Sequence, residues 1–115
     1  MDMKNSEYSV LIIDDVTSVR EYLRQTLMML GISNITEASD GNHGITSYHQ
    51  KRHDVVFLDI ELPDCDGKSL LKKLKEINPS ANVVMMRGAE ELGRETLTLT
   101  VTPLSLIHIS EPTRP

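Results

Sequence analysis

Three short runs of apolar residues limit what this chain can fold into. Ser9 to Ile13 (SVLII), Val55 to Leu58 (VVFL) and Val83 to Met86 (VVMM) each place four large apolar side chains in succession. A strand with one wet face alternates polar and apolar residues, whereas an unbroken run fits a strand covered on both faces, as in a parallel sheet. Two of the runs end in acids, Asp14-Asp15 after the first and Asp59 after the second. An unpaired charge is costly inside a strand, so these acids mark the strand exits or are held there for chemistry.

Helical spacing fills the gaps between the runs. Val16, Val19, Leu23, Leu27 and Leu30 share one face, and Gly31 follows as a left-handed stop. Ser18 with Glu21 offers a capping box, and the acids just before it could cap equally well. Ile35 to Ala38 is a weaker strand, Asp40-Gly41 a turn, and Asn42 to Lys51 a poorly marked helix. Leu70, Leu71, Leu74 and Ile77 form a clear amphipathic helix that Asn78-Pro79 stops. Strand and helix alternate throughout, which predicts an α/β fold with a doubly wound parallel sheet, helices on both faces and right-handed crossovers.

With 115 residues the chain is long enough for one packed core and too short for two. Its formal net charge of −5 gives no general attraction to nucleic acid or anionic membrane and favours cations and basic partners. No apolar run reaches membrane-spanning length and MDMKNSEYS lacks a signal core, so a cytoplasmic protein is expected. The single Cys65 cannot close an intramolecular disulfide.

In a doubly wound sheet, ligands bind beyond the carboxyl ends of the strands, where the strand order reverses. If the first and third strands are neighbours, Asp14, Asp15 and Asp59 meet in one pocket. Two such charges about 4 Å apart repel by roughly 1 kcal/mol in water and roughly 4 kcal/mol at an effective dielectric of 20, so the cluster calls for a cation. Hard oxygen donors in a small, wet site fit Mg²⁺ better than zinc, and Ca²⁺ would want more ligands. A carboxylate beside Mg²⁺ can attack phosphorus, which makes Asp59 a candidate for an aspartyl phosphate.

IIDD at 12–15, LDIELPDCDG at 58–67 and VVMM at 83–86 resemble the receiver domain of two-component response regulators (CheY-like), over roughly residues 8–86. The resemblance implies a flavodoxin-like sheet of order 2-1-3-4-5, and with it the adjacency of strands one and three. It implies that Asp59 accepts a phosphoryl group from a sensor histidine kinase or phosphotransfer protein and thereby switches a downstream output protein or effector domain. It further implies that Asp15, Asp59 and the backbone carbonyl of Glu61 ligate Mg²⁺, while Asp14 holds a ligating water. Pro63 and Gly67 match the family's loop after the phosphorylated acid. Such a domain catalyses its own modification and is not an enzyme for small substrates.

The sequence also departs from that family. A Ser or Thr belongs at the end of strand four, where Arg87 stands, and a Lys belongs at the end of strand five, whereas the last lysine here is Lys75. After Met86, Ala89 to Glu95 is polar with some helical character, and TLTLTVTPLSLIHI at 96–109 alternates as a strand does. The closing SLIHISEPTRP resembles a translated sequencing adapter. The expected organisation is an N-terminal tail at 1–7, an incomplete receiver domain at 8–86, and an atypical tail at 87–115 that need not be native. One lost helix burying about five large side chains would remove on the order of 10 kcal/mol of transfer energy, comparable to a domain's net stability. The polypeptide as written is therefore expected to be marginal or unfolded in isolation.

Two other functions compete. Phosphatases of the haloacid dehalogenase type use a strand-ending Asp followed two residues on by a second Asp, but here the follower is Glu61 and the acid lies on the third strand. A phosphorylation-independent interaction module would fit the missing Lys and Ser/Thr. Among isolated residues, His49 and His53 stand at zinc spacing without further ligands and read as a solvated helix face. Asp64 and Asp66 disfavour a thiolate at Cys65. The calcium-loop pattern around Asp64-Cys65-Asp66-Gly67 fails at Leu62 and Lys73, and Lys68, Lys72, Lys73 and Lys75 read as the wet face of one helix.

Overall fold

In the computed structural model the residues described are 7–88, 96–101 and 105–110. The elements follow the chain as β1 (Ser9–Ile13), α1 (Thr17–Met29), β2 (Asn34–Ala38), α2 (Gly41–Gln50), β3 (Val55–Asp59), α3 (Gly67–Ile77), β4 (Val83–Gly88), β5 (Thr96–Val101) and β6 (Ser105–Ser110). Strands β2, β1, β3 and β4 lie side by side in that order and all pair in parallel. This is the flavodoxin-like, doubly wound arrangement.

The unbroken apolar runs are explained by which face each residue takes. Leu11, Ile13, Val56, Leu58, Val83 and Met85 point into a core completed by Tyr48 of α2 and by Leu70 and Leu74 of α3. Their neighbours Val10, Ile12, Val84 and Met86 point the other way and meet Leu23 and Leu27 of α1. The sheet is therefore covered by α1 on one side and by α2 and α3 on the other, and each run must be apolar at every position. β2 is at the sheet edge, with Asn34 and Glu37 exposed, which is why its sequence carries a weaker signal.

Beyond β4 the doubly wound pattern stops. β5 pairs with β4 antiparallel and β6 pairs with β5 antiparallel, so the family's fifth position holds a strand of opposite direction. The alternating sequence forms strand at Thr96–Val101 and at Ser105–Ser110. The segment 89–95 lies outside the described residues.

Several local expectations need correction. The capping box of Ser18 and Glu21 does not form; Val16 is the N-cap of α1 without a side-chain bond, and the Asp14 carboxylate instead accepts from the Val16 N–H at 2.8 Å. His53 is not on a solvated helix face. It follows the end of α2, is buried, pairs through Nε2 with Thr36 Oγ1 at 3.2 Å, and stacks on Tyr48. Lys68, Lys72 and Lys73 are exposed as expected, whereas Lys75 folds back to donate to the Ala81 carbonyl at 2.6 Å. β4 continues through Arg87 and Gly88, two residues beyond the apolar run. Among the described residues no helix is long and apolar enough to cross a membrane.

Candidate functional site

β1 has β2 on one side and β3 on the other, so the chain reverses its direction of travel across the sheet at β1. A crevice opens there beyond the carboxyl ends of the strands. The pairing of Ile13 with Leu58 places the residues that follow each of them at the same end. Asp14, Asp15 and Asp59 thus come together, with one carboxylate oxygen from each lying within 4.8 Å of the others. Asp14 is buried, Asp59 is half-buried and Asp15 is exposed, so the cluster grades from core to solvent.

Backbone and side-chain bonds hold these acids in place. The Asp14 N–H donates to the Ala38 carbonyl at 3.0 Å, extending the β1–β2 ladder by one residue. Arg20 donates to the Asp14 carbonyl at 2.7 Å and pairs with Glu37 at 2.9 Å, tying α1 to the strand exit. Asp59 is fixed from the next strand, because the Ile60 N–H donates to the Met86 carbonyl at 3.0 Å. The Glu61 N–H donates to Asp59 Oδ1 at 3.1 Å, which orients the carboxylate. Glu61 itself is exposed and bridges to Asp66, and its own carboxylate is not part of the cluster.

The donor set suits a hard divalent cation. Octahedral Mg²⁺, with Mg–O of about 2.1 Å, holds its oxygens about 3 to 4 Å apart, so three carboxylate oxygens within 4.8 Å need only a small adjustment or an intervening water. Zinc would ask for nitrogen or sulfur, and the four-residue spacing of His49 and His53 does not supply it, since His53 is buried against Tyr48.

The loop from Ile60 to Asp66, which follows β3, lines a shallow depression. Its two further acids, which resemble part of a calcium loop, are occupied with helix ends. Asp66 caps α3 by accepting from Ser69 at 2.8 Å, a bond that holds its carboxyl below the ordinary range. Asp64 accepts from the N–H groups of Gly41 and Asn42 at 2.8 and 3.0 Å, and the first of these bonds lowers its carboxyl likewise. The Asp64 contact escaped the sequence reading; the acid is visible, but nothing in the sequence links position 64 to position 41. Burial raises the Cys65 thiol, and the Asp64 charge raises it further, in keeping with an unreactive cysteine. Arg87, where the family has Ser or Thr, is on β4 and pairs in register with Thr98 of β5.

Known proteins share this architecture. The chain is 31% identical over 78 residues to the chemotaxis protein CheY of Bacillus subtilis, covering 68% of this chain and 65% of that one. It is 37% identical over 82 residues to the probable transcriptional regulatory protein TcrX of Mycobacterium tuberculosis, covering 71% of this chain but only 35% of the relative. The chain thus spans less than two thirds of the curated relatives it matches here. Among solved structures, a chain of the CheX–CheY–BeF3–Mg²⁺ complex from Borrelia burgdorferi superposes with a TM-score of 0.66 at 34% identity, covering 74% of this chain and 66% of that one. Residues 10–100 match the family model described as the response regulator receiver domain, and with the sheet order and the acid cluster in hand, the chain belongs to that family.

Proposed function

We propose that this chain is a phosphoacceptor receiver of a two-component phosphorelay, taking a phosphoryl group onto Asp59 from a phosphohistidine of a sensor kinase or phosphotransfer protein in the cytoplasm. The observation that carries this reading is the convergence of Asp14, Asp15 and Asp59 within 4.8 Å from the ends of two adjacent parallel strands. In this account Asp15, Asp59 and the Glu61 carbonyl hold Mg²⁺, and Asp14 holds one of its waters. When bound, the cation neutralises the phosphoryl oxygens. The Asp59 carboxylate, oriented by the Glu61 N–H, attacks phosphorus in line. A new O–P bond forms, the P–N bond to imidazole breaks, and the departing nitrogen keeps the electron pair and takes up a proton from water. The event is stoichiometric modification, which then alters the surface offered to an output protein or effector domain.

Support also comes from the Borrelia complex, whose name pairs a CheY chain with Mg²⁺ and BeF3. The receiver unit is proposed to comprise residues 8–86, with 87–115 as an atypical tail that need not be native; the antiparallel direction of β5 favours this division, while the family match itself runs on to residue 100. Incubation with acetyl phosphate and Mg²⁺ should yield an acid-stable, hydroxylamine-labile phosphoryl adduct on the peptide containing Asp59, and none in Asp59→Asn. An unmodified Asp59 peptide in folded protein would refute the proposal. A second reading, an interaction module that works without phosphorylation, is favoured by Arg87 in place of Ser or Thr and by the missing Lys. It predicts partner binding that is unchanged by acetyl phosphate and by Asp59→Asn.

A further inference from the structure

We infer that Asp64 is a positioning residue for the cation site, latching the loop that carries Glu61 onto the first turn of α2. This rests on the receiver reading above and assigns a role that the acid cluster alone does not. The loop between β3 and α3 is closed at its base, where the Gly67 N–H donates to the Ile60 carbonyl at 2.7 Å and Glu61 bridges Asp66. Its tip is held from outside. Both oxygens of Asp64 are used, one on the Gly41 N–H at 2.8 Å and one on the Asn42 N–H at 3.0 Å.

This contact is more than a helix cap. α2 already has its own cap in Asp40, which accepts from His43 at 2.8 Å. Asp64 arrives from 23 residues away and takes the two N–H groups that Asp40 leaves. Steric fit confirms how closely the loop lies on the helix. A Cβ at Gly41 would sit 2.4 Å from Cys65 Sγ and 3.2 Å from an Asp64 oxygen, so no side chain fits between the two elements. A carboxylate accepting two N–H bonds at a helix N-terminus is a strong, directional tie. Its anchor point lies three positions after Glu61 and five after Asp59, so the latch sets how far the Glu61 backbone stands from the acids.

The test is Mg²⁺ affinity by calorimetric titration of the 115-residue chain at low temperature, with circular dichroism recording the folded fraction in each sample. Asp64→Ala removes both bonds and one charge, Asp64→Asn removes the same charge but keeps an oxygen acceptor, and Gly41→Ala displaces the loop with no change of charge. Loss of an outer partner of a metal site costs about tenfold in affinity or more. The latch predicts about that loss for Asp64→Ala and for Gly41→Ala, a smaller loss for Asp64→Asn, and a double Asp64→Ala/Gly41→Ala variant no weaker than either single one. Equal losses in Asp64→Ala and Asp64→Asn with an unaltered Gly41→Ala would show a charge effect only and overturn the inference, as would an unchanged affinity in Asp64→Ala. Absence of Mg²⁺ binding in the unaltered chain would overturn the receiver reading and the latch with it.

Discussion

Replacing Gly44 with alanine tests whether α2 is packed against β1 as tightly as the site requires. In a solvated helix the exchange should stabilise by about 1 kcal/mol, because alanine loses less backbone entropy than glycine. Gly44 is buried, however, and a Cβ there would lie 2.5, 2.9 and 3.2 Å from Cδ1, Cγ1 and Cγ2 of Ile13. Ile13 is fully buried and precedes Asp14 directly, so it cannot swing aside into solvent. Overpacking of a dense core costs up to about 3 kcal/mol, and three contacts inside normal separation on one rigid side chain place this case near that limit. The net effect is a destabilisation of about 2 kcal/mol. Ile13→Val removes Cδ1, the nearest of the three atoms, at a cost of roughly 1 kcal/mol by itself. In that background Gly44→Ala should cost about 1 kcal/mol less than in the parent, a coupling that a double-mutant cycle detects. Urea titrations in a fixed concentration of trimethylamine N-oxide supply the four stabilities. A Gly44→Ala variant more stable than its parent, or an absence of coupling to Ile13, would refute the packing argument.

Other outcomes follow from the same contacts. Burial holds the His53 imidazole below its ordinary value of 6.5, and the Lys51 charge adds to the effect, opposed in part by a hydrogen bond to the Lys51 backbone and by the Asp54 charge. The unfolded chain then binds more protons than the folded one, so stability is fully present above about 6.5 and falls as the pH drops below it. The urea midpoint should decline through that window, and His53→Gln should flatten the decline; an unchanged slope would show that His53 is not its source. Among the described residues, α1 alone covers the face formed by Val10, Ile12, Val84 and Met86, with Phe57 left partly exposed. The 115-residue chain is accordingly expected to melt broadly and below about 45 °C, the lower edge of ordinary mesophile domains, and a sharp transition above that would contradict it. Asp66→Ala removes the α3 cap and should lower the midpoint in the same urea assay, leaving Mg²⁺ affinity within a factor of about two.

Much of this arrangement was legible because the central strands are buried twice. Val10 to Ile13, Val55 to Leu58 and Val83 to Met86 each feed two cores, so their sequences carry no polar interruption and announce a parallel sheet. Edge position erased the same signal in β2, where Asn34 and Glu37 face water. α2 was poorly marked for a different reason. It meets β1 through Gly44 and buries Tyr48, so its inner face is small and aromatic instead of a leucine stripe. The three acids could be named from the strand ends, but their meeting depended on strand order, which periodicity does not encode. Asp64 was out of reach altogether, since its bond to Gly41 spans 23 residues and both partners read locally as turn residues. His53 was misplaced because spacing from His49 suggested one helix face, whereas α2 ends at Gln50.

The claim on which the rest depends is that one divalent ion touches the ends of β1 and β3 at once. Mn²⁺ accepts the same oxygen ligands as Mg²⁺ and broadens nearby nuclear resonances, so titrating it into isotopically labelled protein locates the ion directly. The amides of residues 13–16 and 59–61 should broaden together at the lowest Mn²⁺ concentrations and recover on addition of excess Mg²⁺. Broadening confined to one of those segments, or centred on the acids of the α3 cap, would contradict the account.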